Sequence, residues 1–333
     1  MFGITDLLYN FLNWINSWVG AWGWAIVVFT VMVRLVLSPL DFKSRISMRK
    51  TTKLQPQLQA LQKKYANDKD KLNAKTAELY KKEHINPLSS CLPLLLTWPI
   101  LIAVFGAMRM AANEQLLIQL GQILQGKEPA LEPFLWIRNL WMPDNIFNTA
   151  YPDVNTLRII PTDQWLPWFH KLSESGLPAM LQDLNLTDAS FEGSALGATV
   201  QSIVDVMKAQ VPFYTKAVAN TPYSVPLLGT IPVMYNGFLL LPILSAVSQI
   251  VMTKVMSGNQ PQQPAANGQP NTGKFMQWFF PIFSLWICLG YSAAFALYWV
   301  AGNLVSMAQT LIINKILDNR EKQAVLAGEG TVK

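Results

Sequence analysis

The chain has 333 residues, of which 51% are hydrophobic and 14% are charged, and its formal net charge is +6. Soluble globular domains carry about 25% charged residues, so the composition excludes an ordinary soluble domain and predicts an all-α polytopic membrane protein. With only two histidines, and with Cys91 and Cys288 in or beside apolar runs, we expect neither a zinc site nor a disulfide, and no cofactor.

Residues 1–20 predict an amphipathic helix on the outer membrane surface. Apolar side chains such as Ile4, Leu7, Phe11 and Ile15 recur at helical spacing, with polar residues between them. An amphipathic helix packed on protein is the alternative. No Lys or Arg precedes Arg34, which argues against a cleavable signal peptide and favours an N-terminus outside the membrane.

The first predicted span covers residues 21–40, and Arg34 is its only charged residue. A spanning helix needs about 20 apolar residues, and we expect Ser38-Pro39 to end this one. An arginine at the centre of a span costs roughly 2.5–3.5 kcal/mol on insertion scales. Arg34 therefore requires water, a partner or a substrate, unless its side chain snorkels to the cytoplasmic interface.

Residues 41–87 predict a helical hairpin in the cytoplasm. From Asp41 to Leu88 there are 12 Lys/Arg against 5 Asp/Glu, net +7. We expect Pro56 to open or kink the first arm and residues 67–70 to form the turn. The exposed cations that we expect to meet ribosomal RNA or anionic lipid headgroups, without recognition of a nucleic-acid sequence, are Lys63, Lys64, Lys69 and Lys71. An ordinary solvated face explains the same charges.

The remaining chain alternates between apolar runs and polar connections. From Asn113 to Leu228 there are 6 Lys/Arg against 11 Asp/Glu, net −5, which places this region outside by the positive-inside rule. Within it, residues 195–216 predict a surface helix. The other predicted boundaries are 88–110, 233–253, 275–290 and 291–313 for spans two to five, 111–232 for the extracytoplasmic region, 254–274 for a flexible cytoplasmic loop and 314–333 for a cytoplasmic tail.

Polar residues inside the predicted spans suggest a hydrated groove next to Arg34. Ionisable side chains in spans face the bundle interior or a wet cavity, and neutral polar ones often link helices. The candidates are Thr30 and Arg34 on the first span, Gln249 and Thr253 on the third, and Trp299, Asn303 and Ser306 on the fifth. Simple helix linkage is the alternative for each neutral residue. The five spans contain no carboxylate, which argues against an internal salt bridge, a proton relay and an aspartyl protease.

Motifs distributed over the whole chain resemble the YidC/Oxa1/Alb3 membrane-protein insertases. They are Trp22-Gly23-Trp24, Val33-Arg34-Leu35, Ser38-Pro39-Leu40, Leu54-Gln55-Pro56, Lys63-Lys64-Tyr65, Leu79-Tyr80-Lys81, Asn86-Pro87-Leu88, Cys91-Leu92-Pro93-Leu94, Trp98-Pro99-Ile100, Phe134-Leu135-Trp136-Ile137, Leu241-Pro242-Ile243-Leu244, Phe280-Pro281, Leu297-Tyr298-Trp299, Asn303-Leu304 and Gln309. The resemblance implies five transmembrane helices around a hydrophilic groove in the bacterial cell membrane, N-terminus outside and C-terminus inside. It implies a non-enzymatic insertase and chaperone, with nascent membrane proteins as clients and the ribosome and a targeting receptor as partners. Independent work and service beside the Sec translocon are both left open.

By the same resemblance, Arg34 attracts the acidic part of a client, and Thr30 and Trp299 contact it. The chain departs from the family pattern at several positions. Thr253 stands where the family has glutamine, which leaves open whether Gln249 substitutes for it. Ser292-Ala293-Ala294 replaces a Pro-x-Gly, and residues from about 146 to 232 are inserted. The large periplasmic domain of the Gram-negative branch and a long basic tail are both missing, which is typical of the compact bacterial type. A solute transporter or channel with a basic anion site is the alternative function.

Overall fold

The computed structural model describes residues 2–83, 92–226, 229–257 and 272–326, and these are predominantly helical. The longer helices are α1 (Phe2–Val19), α2 (Trp22–Lys53), α3 (Gln55–Lys64), α4 (Lys69–Lys82), α5 (Leu92–Leu124), α7 (Thr162–Glu174), α9 (Ala195–Gln210), α11 (Leu240–Ser257), α12 (Thr272–Gly290) and α13 (Ala293–Leu326). Shorter ones are α6 (Val154–Leu157), α8 (Ala179–Gln182), a 3-10 helix (Asp188–Phe191) and α10 (Pro212–Val218).

Within the described residues, three helices are long and apolar enough to cross a membrane. They cover Trp22–Lys53, Trp98–Leu124 and Ala293–Gln323. Two shorter apolar helices cover Leu240–Met256 and Gln277–Gly290. The chain is therefore a mostly helical protein with membrane-spanning helices, and the arrangement of five spans stays a prediction.

The prediction that Ser38-Pro39 ends the first helix is wrong. Helix α2 continues through Pro39 to Lys53. Proline removes one N–H donor from a helix, and long helices accept this loss where neighbouring groups satisfy the freed carbonyl. The continuation carries Asp41, Arg45 and Arg49 on the same rigid element as Arg34.

The basic segment after α2 forms two helices joined by a turn. Pro56 lies in the first turn of α3, where its missing N–H costs nothing, so it opens the helix rather than kinking it. The side chain of Asp68 caps α4 by accepting from the backbone N–H of Lys71 at 3.0 Å. The capping bond from the backbone N–H of Lys71 is the main cause that lowers the pKa of the Asp68 carboxyl. The side-chain ammonium group of Lys71 lowers this pKa further.

The chain separates into two compact units. Unit 1 contains Met1–Phe29, Ala103–Ser245 and Leu285–Trp299, and unit 2 contains Thr30–Ile102, Ala246–Ser284 and Val300–Lys333. Unit 1 is centred on large aromatic side chains that are fully buried, among them Trp141, Trp165, Phe191 and Tyr214. The hydroxyl of Tyr214 donates to the carbonyl of Pro152 at 2.8 Å, and burial raises the pKa of this phenol.

The region predicted as one surface helix over 195–216 is two helices instead. Pro212 cannot continue the hydrogen bonding of α9 and begins α10, and one face of α9 is buried through Val200, Ile203 and Val204. An antiparallel hairpin follows, with β1 (Asn220–Val225) paired to β2 (Gly229–Pro232). This small sheet departs from the all-α expectation.

The third apolar helix begins later than predicted, at Leu240 instead of residue 233. Asp144, fully buried, accepts from the backbone N–H groups of Phe238, Leu239 and Leu241 at 2.8, 3.2 and 2.7 Å. A carboxylate at a helix N-terminus satisfies free N–H groups and favours the helix dipole. The side chain of Asn236 donates to three carbonyls, among them that of Pro143 at 2.8 Å.

The replaced Pro-x-Gly segment forms the short connection between α12 and α13. The backbone N–H groups of Ala293 and Ala294 donate to the carbonyls of Met142 and Leu140 at 2.9 and 2.8 Å. These bonds fix the start of α13 without a proline. The predicted Asn86-Pro87 and Cys91 motif residues, most of the 254–274 loop and the end of the tail lie outside the described residues.

Candidate functional site

The candidate site lies in unit 2, where the side chain of Arg34 on α2 meets α13 at Gly302. A Cβ built on Gly302 would lie 3.3 Å from Arg34 Nη2, 3.7 Å from Nε and 3.8 Å from Thr30 Cγ2. Gly302 is buried, and Thr30 is fully buried. Thr30 and Arg34 therefore share one face of α2, as their four-residue spacing predicts, and the absent side chain of Gly302 allows the close approach.

The guanidinium of Arg34 makes no hydrogen bond or ion pair within the part of the chain that the structure describes. Asp41, seven residues further along α2, is near enough to interact with Arg34 and Arg45 electrostatically. Because the first span is predicted to end at residue 40, the sequence gives no indication of an acidic group near Arg34. Among the described residues, Asp41 and Arg34 form no ion pair.

The other two arginines of α2 are bonded to α13. Arg45, only 9% exposed, donates from Nη2 to Thr310 Oγ1 at 2.6 Å. Arg49 pairs with Asp318 at 2.7 Å, and Lys53 on the same helix pairs with Glu321 at 3.0 Å. These contacts join α2 to α13 in the part of α2 that follows Arg34. The site is therefore built on two helices that are bonded to each other.

A polar side chain of α13 contacts the backbone of Arg34, and two polar atoms of this helix are unsatisfied. Gln309 Nε2 donates to the backbone carbonyl of Arg34 at 3.0 Å. Gln309 Oε1 and Ser306 Oγ are buried and have no hydrogen-bond partner among the described residues. Buried polar atoms without partners cost about 1–3 kcal/mol each, so this part of the helix pair suits water or a polar ligand.

Asn303 connects α13 to α11. Its Nδ2 donates to Ser248 Oγ at 3.0 Å, and Asn303 is 7% exposed. On α11, Thr253 Oγ1 donates to the carbonyl of Gln249 at 2.8 Å, so the hydroxyl is bonded within its own helix. Both side chains are half-buried, and their role in a groove stays a prediction.

Trp299 lies one turn before Asn303 on α13 but belongs to unit 1. Its ring packs on Phe295 with centroids 5.7 Å apart. The buried indole Nε1 has no acceptor among the described residues. Sequence reasoning singled out Trp299 but missed Gly302 and Arg45. The spacing of Arg45, eleven residues after Arg34, was a usable signal because eleven residues complete about three helical turns.

The hairpin presents its four predicted cations to solvent. Lys63, Lys64, Lys69 and Lys71 are all exposed. Lys71 pairs with Asp68 at 2.9 Å, and Lys64 Nζ lies 5.6 Å from the ring centroid of Tyr65. A groove of about 370 Å³ runs between α3 and α4, and Lys64, Lys75 and Lys82 line it. The described residues contain no cluster of three metal-ligating side chains.

Comparison with known proteins matches nearly the whole chain to one family. The family model described as "60Kd inner membrane protein" matches residues 14–321. A protein of Helicobacter pylori named "Membrane protein insertase YidC" is 26% identical over 322 residues, which cover 97% of this chain and 37% of the relative.

Two further relatives with the same name are more similar over shorter stretches. The Fusobacterium nucleatum protein is 40% identical over 139 residues, which cover 40% of this chain and 60% of the relative. The Campylobacter jejuni protein is 46% identical over 102 residues, which cover 31% of this chain and 19% of the relative. The matched stretches thus span from about a fifth to three-fifths of these curated relatives.

Proposed function

The chain belongs to the 60Kd inner membrane protein family, and from this premise we propose that it is a membrane-protein insertase and chaperone. It moves short polar segments of nascent proteins across the bacterial cell membrane and releases their apolar segments to lipid. It works as five transmembrane helices around a hydrophilic groove, with its N-terminus outside and its C-terminus inside, and it performs no covalent chemistry.

The observation that carries the proposal is the unpaired guanidinium of Arg34 beside unsatisfied polar atoms of α13. In unit 2 the described residues offer the guanidinium of Arg34 no hydrogen bond, while Ser306 Oγ and Gln309 Oε1 also lack partners among them. A cation in such surroundings attracts a carboxylate, and the unsatisfied atoms support hydration. An acidic client segment therefore gains a transient partner for part of its path across the bilayer.

The apolar part of a client needs a route to lipid. Leu35 and Val36, adjacent to Arg34, are 58% and 79% exposed, and exposed apolar side chains on a spanning helix suit contact with acyl chains. The remaining groove residues that we propose to contact clients are Thr30, Gln249, Thr253, Trp299, Asn303 and Ser306. They supply hydroxyl, amide and indole groups that exchange hydrogen bonds with a passing polypeptide.

Substitution of Arg34 tests the proposal. In cells depleted of their own insertase, Arg34→Ala is expected to reduce insertion of a single-span substrate with an acidic outer tail, and Arg34→Lys is expected to retain most of it. Lys43→Ala is the matched control, because it removes one cation from an exposed position of the same helix. Full insertion by Arg34→Ala at equal protein level contradicts the role of Arg34 for that substrate.

Several partners follow from the same proposal. Nascent membrane proteins are the clients, the ribosome and a targeting receptor deliver them, and the Sec translocon receives some of them. The exposed hairpin lysines Lys63, Lys64, Lys69 and Lys71 supply a basic contact for ribosomal RNA or anionic lipid. Deletion of residues 67–71 is expected to reduce co-translational insertion. If insertion is unchanged, the hairpin serves only as a spacer and makes no functional contact.

A solute transporter or channel is the second candidate, because an unpaired arginine also suits an anion site. It predicts anion flux in proteoliposomes that Arg34→Ala abolishes, together with an absence of crosslinks between the purified protein and nascent chains. Crosslinks from position 34 to a stalled nascent chain, without flux, favour the insertase.

A further inference from the structure

A second polar site lies in unit 1, away from Arg34 in sequence. It is a cavity of about 40 Å³ beside the connection between α12 and α13. Its apolar wall includes Phe105, Leu116 and Phe295, and its polar wall includes Arg109, Asn113 and Trp141. A single buried water occupies about 10–15 Å³ on this scale, so the cavity holds about three water-sized atoms.

The polar wall presents unsatisfied hydrogen-bond donors. Asn113 is 3% exposed and Trp141 is 1% exposed, and neither Asn113 Nδ2 nor Trp141 Nε1 has an acceptor among the described residues. Arg109 Nε likewise has none. An indole N–H can only donate, and buried donors without acceptors are rare in folded proteins. These donors therefore require a hydrogen-bond acceptor inside the cavity.

Two contacts hold the donors in place. Arg109 Nη2 donates to the carbonyl of Ile159 at 2.7 Å, so this bond fixes the guanidinium at the cavity. The ring of Trp141 packs edge-on against Trp22 with centroids 5.0 Å apart. A preformed set of donors loses little entropy when it binds a ligand.

The charge of the cavity distinguishes an anion from water. Arg109 contributes a positive charge, and no Asp or Glu is among the residues that line the cavity. The nearest acidic residue in sequence, Glu114, accepts a hydrogen bond from Tyr9. Water can bind in such a cavity through the lining hydroxyls of Thr156 and Ser292, but only an oxyanion also compensates the charge of the guanidinium.

We propose that the cavity formed by Arg109, Asn113 and Trp141 binds a phosphate oxyanion, either free or carried on a lipid headgroup. Three of the four phosphate oxygens can accept from the three donors, and the fourth, which carries the ester bond in a lipid headgroup, faces the open side of the cavity. None of the proposed client-groove residues lines this cavity, so the proposal does not depend on the insertase function. A bound phosphate stabilises the contact of α5 with the α12–α13 connection in unit 1.

The test measures binding to the full chain purified in detergent. If the ligand is free phosphate, inorganic phosphate is expected to raise the unfolding temperature saturably relative to chloride at equal ionic strength. If the ligand is a headgroup, the protein is expected to retain phosphatidylglycerol in native mass spectrometry, but not diacylglycerol with the same acyl chains. The first result identifies free phosphate as the ligand, and the second identifies a headgroup. Failure of both probes overturns the proposal and leaves the cavity filled by water alone.

Variants connect the binding to these residues. Asn113→Leu removes a donor and is expected to weaken the bound probe about tenfold or more. Asn113→Asp keeps the side-chain shape but adds a negative charge and is expected to abolish binding. Trp165→Phe is the matched control, because Trp165 is fully buried with an unpartnered Nε1 but does not line the cavity. Wild-type affinity in both folded Asn113 variants overturns the proposal.

Discussion

The guanidinium of Arg34 lies against Gly302, so that a Cβ at position 302 would be only 3.3 Å from Arg34 Nη2. A methyl group at position 302 would require the Arg34 guanidinium to shift by a few tenths of an ångström, and a larger side chain would displace it. The sequence marks Arg34 as unusual because it is a charge in an apolar run, whereas no sequence pattern marks Gly302.

Gly302→Leu is expected to displace the Arg34 guanidinium and to reduce client insertion about as much as Arg34→Ala does. Gly302→Ala is expected to have a smaller effect, since the flexible end of the arginine can shift by a few tenths of an ångström. Glycine in a helix is less favourable than alanine by roughly 0.5–1 kcal/mol. A loss of insertion in either variant therefore does not arise from a weaker helix. Insertion assays are paired with thermal unfolding in detergent, and wild-type insertion by Gly302→Leu contradicts the prediction.

The bond between Arg45 and Thr310 is expected to stabilise the pairing of α2 with α13. Thr310→Val conserves shape but removes the acceptor of a mostly buried guanidinium, and we expect it to cost about 1–3 kcal/mol of unfolding free energy. Lys75→Ala is the control, because it breaks a fully solvent-exposed pair with Glu78 and is expected to leave unfolding unchanged. Equal stability of Thr310→Val and wild type in denaturant titrations would show that this bond is not needed.

Gly237 is expected to be essential for the cap of α11. A Cβ there would fall 2.0 Å from Asp144 Oδ1, and this carboxylate is held by three backbone N–H groups. We expect Gly237→Ala to destabilise the protein by about 1–3 kcal/mol or more. Gly197→Ala is the control, since a Cβ at this exposed position of α9 meets nothing within 4 Å. Thermal unfolding of the two variants side by side measures the difference.

Tyr9 is expected to ionise only at high pH. Burial, followed by its hydrogen bond to Glu114, raises the pKa of Tyr9 from its ordinary value of 10.0 to about 12. Because the folded-state pKa is raised, the stability contributed by Tyr9 is fully present below pH 10 and is lost as the pH rises toward 12. The measurement is the tyrosinate absorbance of wild type minus that of Tyr9→Phe. Glu114→Gln is expected to lower the midpoint, and a wild-type midpoint near 10 contradicts the prediction.

Sequence by itself determined the class of protein and the residues that need an explanation. The low charge content and the long apolar runs identify a helical membrane protein, and the family follows from motifs spread over the chain and is confirmed by the match over residues 14–321. Arg34 stood out because a charge is costly in an apolar run. Helix ends were less well predicted: the sequence placed an end at Pro39, whereas α2 continues to Lys53.

Tertiary structure alone decided which groups meet Arg34 and which do not. A helix that is apolar on most of its surface gives little periodic signal about the face that contacts a neighbour. The approach of Gly302, the pairing of Arg45 with Thr310 and the unsatisfied atoms of Ser306 and Gln309 depend on such contacts. The donor-lined cavity likewise joins Arg109 and Asn113 of α5 to Trp141, 28 or more positions further along the chain, and only the tertiary fold brings them together.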